Sequence, residues 1–98
     1  MPRPCRCRRV RCVPDKSYFK PRGIPADRLE EVNLTLDELE AIKLADLDGL
    51  YQEDAAKKMN ISRQTFGNII NSAHQKVADV LLHAKALKIE GGNIERVG

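Results

Sequence analysis

The sequence predicts an all-α fold: a helix-turn-helix bundle with a long C-terminal helix and an extended basic N-terminal arm. Three observations carry that expectation. All five prolines fall within residues 1–26, and proline removes a backbone donor while pushing the residue before it out of the helical region. From Thr35 to Leu87 apolar residues recur at helical spacing with no proline. Inside that stretch, Gln52–Asn71 places small or apolar residues at each inward position of a helix-turn-helix.

The 98 residues suit one small domain, divided here into an arm (1–26), a helix-turn-helix domain (27–90, motif 52–71) and a tail (91–98). Hydrophobic residues make up 42% and charged ones 32%, a globular balance, and four aromatics without Trp leave the core to aliphatic side chains. No apolar run reaches the length of a membrane span, and the basic N-terminus lacks the apolar region of a secretory signal, so a cytoplasmic location is expected. Net charge is +3, but it is unevenly placed: +7 over residues 1–26, −8 over 27–54 and +4 over 55–98. Two basic regions around an acidic one suit a molecule with one side toward a polyanion.

The elements follow in order. Alternation of Arg9 and Arg11 with Val10 and Cys12 allows a short strand around 8–13, and ADRLEEV (26–32) a weak helical turn. Thr35 and Glu38 form the T-x-x-E pattern of a capping box, opening a helix near 36–47 that Gly49 closes. A second helix spans about 51–59, with acids first and Lys57 and Lys58 last, as the helix dipole prefers. Asn60 tolerates a left-handed turn, and Ser62 is a good N-cap. The third helix runs from Arg63 to roughly Ala86, striped by Phe66, Ile69, Ile70, Ala73, Val77, Val80, Leu81, Ala84 and Leu87. At ~1.5 Å per residue it would be ~36 Å long. Gly91-Gly92 break it, with a short extended piece at 87–90.

In a helix-turn-helix the second helix enters the major groove and its first residues meet base edges. Arg63, Gln64, Asn68 and Asn71 lie off the apolar stripe, where Arg can pair with guanine and Gln or Asn with adenine. Gly67 would let the backbone approach. Ser62 and Thr65 are candidates for phosphate, although Ser62 serves equally as a cap. Lys57, Lys58 and Lys76 suit phosphate better than bases, or simply solvent. Arg3, Arg6, Arg8 and Arg9 form an arm that either enters the minor groove or adds nonspecific affinity.

Cys5, Cys7 and Cys12 are three thiols among arginines, a setting that favours thiolate. They stand either as a low-grade metal or iron–sulfur site completed by His74, His83 or another subunit, or as free thiols; the usual four-ligand zinc spacing is absent. Val77, Val80, Leu81, Ala84 and Leu87 extend beyond what the second helix can cover, so either the N-terminal arm folds back over them or a second subunit does. A homodimer through the far half of the long helix is expected, giving two reading helices for a two-fold site.

With those residues placed, the chain resembles the DUF134/UPF0251 family of small prokaryotic proteins with a presumed DNA-binding role. The resemblance lies in RCRRVRCVPDKSYFKPRGIP, LTLDELEAIKLADLDGLYQEDAAKKMNISRQTFGNIINSAHQKVADVL and KALKIEGGN, nearly the whole chain. The middle stretch is also similar to the DNA-reading region 4 of sigma factors. The resemblance implies a transcription-regulator-like binder of double-stranded DNA, with Arg63, Gln64, Thr65 and Asn68 at reading positions. Two other readings stand beside it: a metal- or redox-sensing DNA switch worked by the cysteines, and a sigma-like protein-interaction adaptor using the acidic helix. No Ser/His/Asp set or paired carboxylates near a cleft suggests an enzyme, and no cofactor beyond that metal is expected.

Overall fold

The structure is a computed structural model that describes residues 8–10, 17–92 and 94–96. Strands β1 (Arg8–Val10), β2 (Tyr18–Phe19) and β3 (Glu31–Leu34) precede helices α1 (Leu36–Ile42), α2 (Gln52–Met59) and α3 (Arg63–His83). Strands β4 (Ala86–Ile89) and β5 (Ile94–Arg96) follow. The fold is therefore mixed α/β, and the all-α expectation is corrected. β4 is the centre of a three-stranded sheet, antiparallel to β2 and parallel to β3, while β1 and β5 pair in parallel.

To within a residue, β1 and β4 fall at the short strand expected around 8–13 and the extended piece expected at 87–90. The strands not anticipated, β2, β3 and β5, have a common physical cause. Each has four residues or fewer, too short for a period of two to stand out, and β3 finds its partner only after the chain has passed through all three helices. Such pairing leaves no local signal. The helical turn expected within 26–32 is present but shorter: Pro25 leads into a single 3₁₀ turn, Ala26–Arg28, and Glu31 already starts β3. Along β3 exposure alternates, with Glu31 and Asn33 outward and Leu34 buried.

The capping box at Thr35 is present. Its hydroxyl accepts from the Glu38 amide, and the Glu38 carboxylate accepts from the Thr35 amide at 2.9 Å. After Ile42 the helix widens into a π turn, Lys43–Leu47, closed by an Asp48 N–H to Lys43 carbonyl bond of 2.8 Å. Gly49 then reverses the chain at φ +74.

Helices α2 and α3 are joined through Asn60, whose φ of 60 and ψ of 44 are left-handed as its type allows. The Asn60 and Ile61 amides cap α2 on the Lys57 and Ala56 carbonyls, a Schellman arrangement. Ser62 caps α3 by accepting from the Thr65 amide at 3.0 Å. Ala41, Leu44, Ala55, Ala56, Met59, Phe66, Ile69 and Ile70 form the helical core. Phe66 and Met59 are fully enclosed; truncating such a Phe costs about 3–5 kcal/mol. A second cluster, Leu34, Ala73 and Ile89, joins the sheet to α3.

α3 ends at His83 rather than near 86 because Ala84 takes a left-handed conformation, φ 52, and sends the chain into β4. Leu87 consequently belongs to β4, against Phe19 on one side and Val32 on the other, not to the helical stripe.

Candidate nucleic-acid interface

The outward side of the α2–turn–α3 unit is polar and contiguous. Ser62, Arg63, Gln64, Asn68 and Asn71 are exposed, Thr65 is half-buried, and Lys57 and Lys58 are exposed at the end of α2. The inward residues Ala56, Met59, Phe66, Ile69 and Ile70 anchor this surface from behind. The orientation of each outward side chain follows from helical spacing against that core.

The start of α3 is electrostatically unlike the other helix starts. Asp37 and Glu38 sit in the first turn of α1, and Glu53 and Asp54 in that of α2, where acid complements the free amides. The first turn of α3 has no acid, and its first residue is Arg63. A helix N-terminus left with positive charge suits an external anion.

Of the described lysines four pair with acids and three, Lys20, Lys57 and Lys58, do not, Lys20 donating to the Ile24 carbonyl instead. Lys43 pairs with Asp48, Lys76 with Glu38, Lys85 with Asp79 and Lys88 with Glu90. Lys57, Lys58 and Arg63 have no acidic partner among the described residues. Lys76, a phosphate candidate from the sequence, instead reaches Glu38 at 2.8 Å, and Ser72 donates to the same carboxylate at 2.6 Å. Burial alone would raise the Glu38 pKa. The hydrogen bonds from Lys76, Ser72 and the Thr35 amide, with the Lys76 charge, outweigh it and hold the group below its ordinary value.

Ser62 serves as the cap of α3, and its hydroxyl also donates to Thr65 Oγ1 at 2.9 Å, so these two hydroxyls are engaged with each other. Gly67 lies beside α2: a Cβ added there would meet Gln52 Oε1 at 3.6 Å, an ordinary contact. One outward residue was missed. Gln75 is exposed and falls on the face of Gln64, Asn68 and Asn71 at steps of four, three and four, a periodicity already legible in the sequence.

Arg9 is exposed on β1, while Arg3, Arg6 and the side chain of Arg8 lie outside the described residues. So do Cys5, Cys7 and Cys12. Among the described residues no group of three His, Cys, Asp or Glu side chains is placed to hold a metal. His74 and His83 pair with Asp46 and Asp79, each at 2.7 Å. No helix among the described residues is long and apolar enough to cross a membrane.

The far end of α3 is apolar. Leu81 and Leu82 are 75% and 79% exposed, and Phe19 of β2 is 52% exposed. Phe19, Pro21, Val80, Leu81 and Ala84, with Lys20 and Lys85, line a groove of about 320 Å³.

A family model described as "Protein of unknown function DUF134" matches residues 1–97. A UPF0251 protein of Prosthecochloris aestuarii is 58% identical over 90 residues, which cover 92% of this chain and 58% of that protein. Another, from Thermoanaerobacter pseudethanolicus, is 58% identical over 93 residues, 95% of this chain and 79% of its own length. One from Caldanaerobacter subterraneus is 56% identical over 98 residues, all of this chain and 83% of its own. The chain thus spans little more than half the length of the first of these relatives. No solved structure matches it.

Proposed function

This chain belongs to the DUF134 family, and we propose that it is a dimeric, sequence-specific double-stranded-DNA-binding regulator of transcription, without catalysis. α2 and α3 act as its helix-turn-helix, with the start of α3 in the major groove. The observation that carries this reading is the start of α3: Arg63 without an acid partner among the described residues, no acid in the first turn, and exposed Gln64, Asn68 and Asn71 beside it. Arg63 pairs with a guanine edge and the amides with adenine, while Lys57 and Lys58 neutralise phosphates. Ser62 sets the end of the helix and presents its amides to a phosphate.

The homodimer forms through the exposed leucines at the other end of α3. Gln64 and Leu82 are separated by ~27 Å of helix, so two copies meeting near Leu82 hold their reading ends apart. The half-sites of a two-fold operator lie about 34 Å apart, a spacing that such a pair can meet by crossing at an angle.

Titration of duplex DNA into wild type and variants tests the reading. Arg63→Ala costs about 1–3 kcal/mol of discrimination at one base pair. Lys57→Ala or Lys58→Ala weakens binding to all sequences alike and lowers the salt slope by about one. Unchanged base preference in Arg63→Ala would remove that residue from the reading set.

A further inference from the structure

We infer that Gln64, Asn68, Asn71 and Gln75 form a continuous row of amides that reads adenine edges along one half-site, with Gln75 setting the base pair farthest from Arg63. The inference rests on the DNA-binding reading above and adds to it a fourth amide, Gln75, and the length and base composition of the half-site that the row reads.

All four side chains are exposed, and none hydrogen-bonds to another described group. Their neighbours on α3 are engaged. Thr65 bonds Ser62, Ser72 and Lys76 bond Glu38, and His74 bonds Asp46. Ser72, His74 and Lys76 therefore tie the helix to α1 and the turn after it, whereas the four amides make no side-chain bond among the described residues. Steps of four, three and four residues keep them on one helix face. Surface helices usually carry charge on such a face, yet from Gln64 through Gln75 there is no Lys, Arg, Asp or Glu.

A side-chain amide places an acceptor oxygen beside a donor nitrogen. In the major groove, adenine offers the complement, an N6 donor beside an N7 acceptor. Guanine offers two acceptors, cytosine one donor, and thymine one acceptor with a methyl group. A row of amides thus selects adenine where a row of arginines would select guanine. Eleven residues of α-helix span ~16 Å, close to five base pairs at ~3.4 Å each. Beyond Gln75 the same face turns apolar at Ala78 and Leu82, which sets the limit of the row.

Selection from random duplex DNA, run in parallel on wild type, Gln75→Ala and Gln75→Glu, tests this. Circular dichroism confirms that the variants, altered at an exposed position, keep their helices. Wild type should enrich adenine-rich half-sites of about five pairs. Gln75→Ala should lose about tenfold of its preference at the outermost pair alone. Gln75→Glu should move that preference to cytosine, whose N4 donates to a carboxylate. A guanine-rich site, or one identical in all three proteins, would overturn the amide row while leaving DNA binding intact. Absence of any enriched site would overturn both.

Discussion

Glu38 links the start of α1 to the middle of α3. Its carboxylate accepts from the Thr35 amide, Ser72 and Lys76 while only 6% exposed. Because the donors hold its folded pKa below the ordinary value of 4.5, its contribution is fully present above that value. It is lost as the pH falls through the lower, folded value. Loss of one cap and one charge-assisted bond sets the cost of Glu38→Ala at about 2–3 kcal/mol at pH 7. Urea denaturation should find the gap to wild type narrowing below pH 4.5; a gap constant with pH would show that the charge contributes nothing. The capping half of this role was legible in T-x-x-E, four adjacent residues. Ser72 and Lys76 reach Glu38 from 34 and 38 positions away, and nothing in spacing reveals such a partner. For that reason Lys76 reads as a phosphate contact in the sequence and as an internal tie in the structure. The outward face of α3 was legible because helical period alone separates the exposed Arg63, Gln64, Asn68 and Asn71 from the buried Phe66, Ile69 and Ile70.

At the level of elements, α1 and α3 announce themselves through the caps Thr35 and Ser62 and through apolar stripes, whereas α2 starts after Tyr51, which makes no side-chain cap, and is marked by acids first and lysines last. The end of α3 does not. Ala84 occupies the left-handed position that glycine usually takes, so the apolar stripe runs on in the sequence past the point where the helix stops. A left-handed non-glycine residue costs about 1–2 kcal/mol, partly offset by the flexibility glycine gives the unfolded chain. Ala84→Gly should therefore stabilise the fold by about 0.5–1 kcal/mol. Thermal denaturation would register this as a higher midpoint. An unchanged midpoint would mean that the turn into β4 is held by sheet pairing strongly enough to make the strain irrelevant. The strands themselves depend on that turn, since β4 pairs with both β2 and β3 and all three lie far apart in sequence.

Across the whole molecule, α3 has two ends with opposite chemistry. Toward its start it presents Arg63 and a row of amides without side-chain partners among the described residues, and its last turns present Leu81 and Leu82 beside Phe19. The acidic residues Asp46, Asp48, Glu53 and Asp54 are exposed between α1 and the first turn of α2, while the cations Lys57, Lys58 and Arg63 flank the turn that leads into α3. On the function proposed above, one end of the long helix would face a duplex and the other a second copy, and two-fold symmetry would then fix the form of the operator. The most direct measurement is selection of binding sites by the purified protein from random duplex DNA, with the mass of the free protein at micromolar concentration determined on the same sample. The account predicts a dimeric mass and an enriched palindromic site with half-sites about one helical turn apart. A monomer whose DNA affinity falls with salt but enriches no sequence would contradict it.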